Sequence, residues 1–312
     1  MSRYEIKGDG LRCYRVISVV LGMVMCVVLS LPAVAQVKKM PDGELFDAEY
    51  YAEKYPDVAK VYGTDEIALY SHYLDYGKKE GRIPYEDKKA VRKTLPTNID
   101  FGNQCVLIVG DSRACSLSRT LNDYCGFKLL YAQNEGSVTE VVLQKGKTLV
   151  AICGEGGGSY KKGSFNRAVK DMNELLVNDE MLKKRSTYYY IDMFGVNDIN
   201  ETPNAPLTYL EKDEIIANNN PGIIQMYHFN AGPITEDGYF YLENDLSNET
   251  IEKYNEQFQN TQKVQVIDLF SYLMTNGFDT VDDSENDFSK TGMHYDVSTD
   301  IEIIYLIKNL VK

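Results

Sequence analysis

Three polar residues with the chemistry of acyl transfer each lie near a glycine at the boundary of a predicted element: Ser112, Asn197 and His294. Acyl transfer through a nucleophile needs an activated hydroxyl, a base that takes its proton, and donors that stabilise the developing oxyanion. Each residue alone also fits a structural role, since serine commonly caps helices and asparagine commonly forms turns. Their combination favours a serine hydrolase or acyl transferase site.

The elements around these residues would bring them to one edge of a sheet. Ser112 follows the apolar run Val106 to Val109, which predicts a buried parallel strand. From residue 103 onward, strand-like and helix-like stretches alternate, which predicts a mostly parallel, doubly wound α/β sheet. Ligands and catalytic groups collect at the carboxyl edge of such sheets. The predicted strands are Cys105–Val109, Lys128–Tyr131, Thr148–Cys153, Thr187–Met193, Ile223–Tyr227 and Val264–Ile267, and the predicted helices include Arg113–Asn122, Phe165–Val177, Thr250–Asn260 and Val297–Leu310.

The blocks around the three residues, in this order, resemble the SGNH (GDSL-like) hydrolase family, and more closely its secreted clostridial-type esterase branch. They read Val106-Leu-Ile-Val-Gly-Asp-Ser-Arg113, Gly195-Val-Asn-Asp198 and Gly292-Met-His294-Tyr295, and the resemblance covers roughly residues 103 to 312. It implies a three-layer α/β/α sandwich with a flavodoxin-like sheet. It also implies Ser112 as nucleophile and oxyanion donor, Asn197 as a second donor and His294 as base.

The family's third oxyanion donor is a glycine N–H, for which the sequence offers three positions. Gly156, within the glycine-rich turn that follows Thr148–Cys153, is our first choice, and Gly154 and Gly136 are alternatives. The same turn lacks the Gly-Lys-Ser/Thr ending of a phosphate-binding loop. We therefore expect no nucleotide site and no cofactor.

One position departs from the family pattern. Where the family has Asp-x-x-His, this chain has Thr291 three residues before His294. A carboxylate there orients the imidazole and stabilises the imidazolium. Three accounts follow: a Ser–His dyad held by a backbone carbonyl, substitution by Asp287 or Asp296, or a domain that has lost hydrolysis and kept binding.

Two further residues are candidate substrate contacts. Arg113 stands beside the nucleophile, where a guanidinium can hold a carboxylate or a sugar hydroxyl, although a surface helix position fits it equally. His228 ends a predicted strand at the same sheet edge, where it could contact substrate or serve as a second base. None of the three histidines has metal-ligand spacing to another histidine or to a cysteine, so we expect no structural metal.

Residues 1–35 have the pattern of a signal peptide. Four basic residues precede the uncharged run Val16 to Leu31, and Pro32-Ala-Val-Ala35 is a small-residue cleavage pattern. Cleavage after Ala35 predicts a secreted or cell-surface protein without stable membrane insertion. The alternative is an uncleaved anchor, since the charge-free stretch that ends at Ala35 is just long enough to span a bilayer.

The acidic composition argues against nucleic-acid binding. The formal net charge is −13, and removal of four basic and two acidic residues with the leader changes it to −15. Such a surface repels phosphate backbones and tolerates neutral or cationic substrates. Four cysteines remain, too few for a fold built on disulfides, and the pairing we considered is Cys105 with Cys153 on neighbouring strands.

Residues 36–83 read as a separate small helical module, and residues 84–102 read as a linker because they are rich in charge and contain Pro84 and Pro96. The module resembles an aromatic-rich unit of secreted and surface proteins of anaerobic Gram-positive bacteria. Its tyrosines within residues 45–83 suit contact with a cell-wall glycan, but we expect most of them to form the core of the module. We expect His72 to be a packing residue.

The resulting hypothesis is a secreted serine esterase that removes O-acyl groups, acetyl-like in size, from an extracellular or cell-wall glycan or another small ester. A surface glycan-binding protein with a decayed site, and an acyltransferase that uses the same serine and histidine, are the alternatives.

Overall fold

The computed structural model describes residues 38–85, 95–235, 246–281 and 292–311. These residues belong to one of two compact units, the one that runs from Ala35 to Lys312. The predicted signal peptide, and with it the alternative anchor, lies outside the described residues, as do Asp287 and Thr291. In the described ranges, no helix combines the length and the apolar character that crossing a membrane requires.

The N-terminal described segment is a small helical unit with a core of its own. Its elements are the antiparallel strands β1 (Lys38–Lys39) and β2 (Leu45–Phe46), the helices α1 (Ala48–Lys54), α2 (Pro56–Tyr62) and α3 (Glu66–His72), and a π-helical turn at Tyr73–Gly77. Asp47 caps α1 as its side chain accepts a hydrogen bond from the Tyr50 N–H. Two helices were predicted here, and the third arises because Pro56 begins a new helix after it ends α1.

Four of the seven tyrosines within residues 45–83 belong to the core of this segment, and Tyr55 is the one of the four that is only partly buried. Tyr51, Tyr70 and Tyr73 are buried together with Phe46. The His72 Nδ1 lies 3.2 Å from the Tyr51 hydroxyl, so this histidine is a hydrogen-bonded packing residue.

The rest of the described chain forms a seven-stranded mixed sheet. The strands are β3 (Cys105–Gly110), β4 (Lys128–Glu135), β5 (Val138–Lys145), β6 (Thr148–Glu155), β7 (Tyr188–Met193), β8 (Ile223–Phe229) and β9 (Val264–Ile267). Their order is β4-β5-β6-β3-β7-β8-β9. Pairs β4–β5 and β5–β6 are antiparallel, and the other four pairs are parallel. This confirms the mostly parallel sheet, and the five mutually parallel strands follow the flavodoxin-like order 2-1-3-4-5.

Helices cover both faces of the sheet. They are α4 (Ser112–Asp123), α5 (Ser164–Asn178), α6 (Ala205–Asn219), α7 (Asn248–Asn255), α8 (Leu269–Asn276) and α9 (Val297–Leu310). Because strand side chains alternate, Val106 and Ile108 of β3 pack with α4, α8 and α9. Leu107 and Val109 pack with α5, α6 and α7 on the other face. The architecture is therefore the predicted three-layer α/β/α sandwich.

The structure departs from the sequence-based elements in a few places. Strand β5 and helices α6 and α8 were not among the predicted elements, and α7 ends at Asn255, before the predicted Asn260. The four cysteines of the described chain are unpaired. Cys153 lies opposite Val109 in the β3–β6 register. Four residues of strand, ~13 Å, therefore separate it from Cys105, too far for a disulfide.

The predicted linker ends earlier than residue 102. Ile99 is fully buried and Phe101 is 6% exposed. Both belong to the core under α4 and α9, where the Phe101 ring packs edge-on against Phe127. Residues 95 to 102 are thus part of the α/β fold, because their apolar side chains complete one of its two cores.

This boundary can be tested with two truncations. A chain that starts at residue 93 should keep the cooperative unfolding transition of the α/β fold, because Ile99 and Phe101 remain. A chain that starts at residue 103 should lose about 4 kcal/mol or more of unfolding free energy, since both buried side chains are removed. Urea denaturation measures the difference, with the chain from residue 36 as reference, and equal stabilities of the two truncations would contradict the assignment.

Candidate active site

Ser112 and His294 are brought together at the carboxyl edge of the sheet. The Ser112 Oγ lies 3.1 Å from the His294 Nε2, although 182 residues separate the two in sequence. Ser112 is the first residue of α4 and is separated from the end of β3 only by Asp111, and His294 precedes α9. The distance is that of a hydroxyl nucleophile and its general base.

The turn that presents Ser112 requires glycine. A Cβ added to Gly110 would lie 2.6 Å from the Ala114 Cβ and 3.0 Å from the Met193 Cβ, closer than packed side chains allow. Asp111 then caps α4, as its Oδ1 accepts a hydrogen bond from the Arg113 N–H. Burial raises the pKa of Asp111 to about 6, and the nearby Arg113 charge opposes this rise. The expected cap in this turn is therefore Asp111, which leaves the Ser112 hydroxyl to face His294.

Arg113 is not a substrate contact or a surface residue, which corrects both sequence interpretations. Its side chain is 5% exposed, and its guanidinium donates to the carbonyl oxygens of Met293 (3.0 Å), Gly232 (2.8 Å) and Pro233 (2.9 Å). The guanidinium carbon also lies 4.4 Å from the ring centroid of Tyr295. Arg113 thus ties the residues on both sides of His294 to the helix that carries Ser112.

Further backbone contacts hold the His294 segment. The Val281 N–H donates to the His294 carbonyl at 2.9 Å, and Thr280 forms an isolated antiparallel bridge with Tyr295. Asp296 caps α9, where its carboxylate accepts from the Thr299 N–H and the Ser298 hydroxyl. The Asp296 carboxylate is thereby committed to the helix end, and its role as the acid that orients His294 stays a prediction, as does that of Asp287.

The predicted oxyanion donors lie at the ends of β6 and β7. The Asn197 side-chain amide donates to the Gly158 carbonyl at 3.0 Å, and the Gly156 N–H donates to the Ser137 carbonyl at 2.8 Å. Gly154 lies in β6 opposite Gly110, and Gly136 occupies the turn between β4 and β5 with φ of 60°. The Gly156 N–H can serve as a donor only if it exchanges its present hydrogen bond, whereas the Asn197 amide has a second hydrogen. Both roles stay predictions.

The Ser112–His294 pair opens into a cleft of about 1030 Å³. One wall is α4 and the other is the hairpin of β4 and β5, with Gly156 and Gly157 near the serine end. A cleft of this size accommodates much more than a small acyl group, since ligand sites typically measure roughly 300–1,000 Å³.

His228 is not at the surface of this cleft, which corrects its assignment as a substrate contact or second base. The side chain is fully buried, its Nδ1 lies 2.9 Å from the Asp213 Oδ2, and its ring stacks on Phe258 at a centroid distance of 4.5 Å. The Asp192 Oδ2 lies 3.4 Å from the same nitrogen. The His228 side chain lies on the face of the sheet that α6 covers, because it contacts Asp213 of that helix, and it therefore does not reach the cleft beside α4.

The buried group of Asp192, Asp213 and His228 is close to electrically neutral. Burial and the neighbouring Asp192 raise the pKa of Asp213 well above its ordinary range. Burial alone would lower the pKa of His228, but the two carboxylates raise it to about 10. At neutral pH the histidine is therefore protonated, and burial beside Asp192 favours the protonated form of Asp213.

Within the described ranges, these three side chains also form the group with the composition of a metal site. Asp213 and His228 are in direct hydrogen-bonding contact, however, and all three residues are fully buried. We interpret the group as an ion pair that fastens α6 to the sheet. The expectation that the protein has no structural metal stays a prediction.

Sequence reasoning missed the partners of this group. A signal for Asp192 existed, because a carboxylate within the otherwise apolar run Tyr188–Met193 must find a buried partner. For Asp213 there was none, since α6 was not predicted. The structural role of Arg113 was likewise hidden, because its partners are backbone carbonyls more than a hundred residues away.

The buried ion pair predicts a decline of stability with rising pH. His228 and Asp213 hold protons more tightly in the folded chain than in the unfolded one. The stabilisation from His228 is complete below pH ~6.5 and is lost as the pH rises through about 10. Asp213→Asn should make the decline between pH 6.5 and 9 shallower, because it removes a group that binds its proton more tightly in the folded chain than in the unfolded one.

Urea denaturation across this pH range measures both slopes. Asp123→Asn, at an exposed position of α4, is the matched control and should leave the slope unchanged. Identical slopes for Asp213→Asn and the unchanged chain would show that Asp213 is ionised in the fold.

Comparisons with known proteins do not assign the chain to a family. No protein-family model matches the chain, and no curated protein matches it. Among solved structures, it is similar to one described as "a putative platelet activating factor from Streptococcus pneumonia". The identity is 17% and the TM-score is 0.41, over 79% of this chain and 97% of that one.

Proposed function

We propose that this protein is a secreted serine esterase of SGNH type. The observation that carries the proposal is the contact of 3.1 Å between the Ser112 Oγ and the His294 Nε2 at the mouth of a cleft. The pair also stands where an α/β sheet binds ligands, since β3 is the strand at which the order of the parallel strands reverses.

In the proposed reaction, the His294 Nε2 takes the Ser112 proton while the Oγ attacks the ester carbonyl. The tetrahedral oxyanion forms at the N-terminus of α4, where the Ser112 N–H and the positive end of the helix dipole stabilise negative charge. The imidazolium then gives its proton to the leaving alcohol as the C–O bond breaks. Water, activated by the same histidine, hydrolyses the acyl-enzyme and restores Ser112.

The proposed substrate is an O-acylated extracellular glycan with a short acyl group. The predicted leader supports an extracellular substrate, and the net charge of −13 favours a neutral polymer over an anionic one. Residues 45–83 are a proposed contact for cell-wall glycan. Tyr62 and Tyr76, which are 38% and 58% exposed, are the tyrosines proposed to touch it. A sugar face packs well on such rings.

The close serine–histidine contact favours catalysis over the alternative of a decayed binding protein. An acyltransferase would use the same acyl-enzyme, with a sugar hydroxyl in place of water as acceptor. Product analysis with and without an added glycan acceptor separates transfer from hydrolysis.

The first test is labelling with a serine-reactive phosphonate together with turnover of a short-chain aryl ester. Ser112→Ala should abolish both, and His294→Ala should lower turnover by a factor of about 10³ or more. Ser118→Ala is the matched control, because this hydroxyl lies on the same helix and donates to the Cys115 carbonyl. Turnover that persists in a folded Ser112→Ala protein would overturn the proposal.

The second test addresses Arg113 as a positioning residue. Arg113→Met removes one donor from each of three buried carbonyls, of which Pro233 keeps the Tyr295 hydroxyl, and it loosens the His294 segment. The kcat for the aryl ester should therefore fall about 10- to 100-fold with little change in KM. Arg113→Lys should rescue only partly, because an ammonium does not reproduce the planar array of donors. Arg119→Met, at an exposed position of the same helix, should keep kcat for the small aryl ester, because Arg119 lies about two helical turns from Ser112. An unchanged kcat in folded Arg113→Met would show that other contacts suffice to hold His294.

A further inference from the structure

The cleft continues from Ser112 along the whole length of α4. Its lining includes Ser112 at the first turn of the helix and Tyr124 just after the last turn. Twelve helical residues span about 18 Å. A short acyl group at Ser112 would therefore fill only one end, and most of the cleft remains for the rest of the substrate.

The helix contributes a polar stripe to one wall. Ser112, Ser116, Arg119 and Asp123 all line the cleft, and their spacing of three to four residues places them on one face of α4. This row offers a hydroxyl, a guanidinium and a carboxylate beyond the nucleophile. Successive hydrogen-bonding groups of this kind match a ligand that has polar groups at intervals along its length.

The hydroxyl of Ser116 has a defined direction. It donates to the Asp300 Oδ2 at 2.5 Å, and the Thr120 hydroxyl donates to the same oxygen at 2.8 Å. The single hydrogen of Ser116 is thus used by Asp300, another residue of the cleft lining, and toward a ligand this oxygen can only accept. It is suited to a ligand hydroxyl as donor.

The opposite wall is the antiparallel hairpin, which supplies a broad surface. Ala132 pairs with Val141, and Asn134 pairs with Thr139, so these four side chains share one face. They give small apolar patches interrupted by an amide and a hydroxyl. At the far end, Leu129 and Tyr124 are 49% and 52% exposed.

We propose that this cleft binds several consecutive units of a neutral polysaccharide chain, with the acylated sugar at Ser112 and the chain extending toward Tyr124. This rests on the proposed esterase function and names the part of its substrate that lies beyond the ester. The alternation of hydroxyl, amide and apolar surface matches the hydroxyl groups and apolar faces of sugar rings. A long alkyl chain would instead desolvate the polar stripe without giving it partners, at a cost for each group.

The charge of the cleft supports a neutral chain. Two residues of the polar stripe are charged, Arg119 with a positive and Asp123 with a negative charge. Their attraction and repulsion of a charged polymer partly cancel. The net charge of the whole protein, −13, further disfavours polyanions.

The test compares neighbouring leucines of β4. Leu129 lines the cleft, whereas Leu130 does not, and the two are 49% and 43% exposed. Partly O-acetylated xylo-oligosaccharides of one to six units serve as substrates, and a short-chain aryl ester reports the chemistry at Ser112. For the unchanged protein, kcat/KM should increase with oligosaccharide length.

Leu129→Ala and Tyr124→Ala should each lower kcat/KM for the six-unit substrate about 3- to 10-fold, through lost apolar and ring contact. Their kcat/KM for the single-unit substrate and for the aryl ester should not change. Leu130→Ala should match the unchanged protein on all substrates.

The two levels of the proposal fail in different ways. Absence of aryl ester turnover would overturn the esterase itself, whereas aryl ester turnover without any increase along the oligosaccharide series would overturn only the glycan cleft. A gain with acyl chain length in aryl esters, lost in Leu129→Ala, would instead assign the cleft to the acyl side.

Discussion

The serine–histidine pair depends on the buried guanidinium of Arg113. Arg113 follows Ser112 directly, yet its three donors reach the carbonyls of Met293, Gly232 and Pro233. A buried guanidinium is expensive unless each face is satisfied, and here the carbonyls and the Tyr295 ring satisfy it. Because Ser112 and Arg113 are adjacent in α4, any displacement of this helix moves both residues together. The distance between Ser112 and His294 is therefore protected against motions that would separate two independently held residues.

The central sheet fixes the position of the turn that carries Ser112 and Arg113. Strand β3 is buried on both faces and sits beside β6 and β7, so its end cannot shift without disturbing two cores. Gly110 allows the exit at the close approach of Ala114 and Met193, and Asp111 then caps the helix. The Asp111 carboxylate that forms this cap is fully buried beside Ser112.

A second polar group, on the other side of the sheet, holds the region from which Asn197 projects. Asp192 and His228 are neighbours across β7 and β8, and Asp213 reaches them from α6. Asp198 adds a related contact, as its carboxylate accepts from the Tyr209 hydroxyl and the Tyr160 N–H. Paired buried charges of this kind contribute little net stability relative to apolar packing, but removal of one partner is costly. Their effect here is to fix α6 and the turn after β7 in one arrangement.

Local patterns in the sequence were sufficient for the overall architecture and for the central pair. Apolar runs with β-branched residues identified six of the seven strands, and their alternation with helical patterns predicted the parallel sheet, because period and burial are local properties. Ser112 and His294 could be named because each stands at an element boundary near a glycine. Strand β5 was not predicted, because its sequence mixes polar and apolar residues without a clear strand pattern.

Only the tertiary structure decided what the remaining polar residues do. Arg113 and His228 were candidate substrate contacts, and both are buried, because their partners come from segments that the sequence separates by up to 180 residues. The predicted linker ends too late for the same reason. Ile99 and Phe101 have apolar partners that no local sequence pattern shows. The cleft along α4 exists because the β4–β5 hairpin returns beside that helix, a pairing that depends on register and crossover and not on the residues of either element alone.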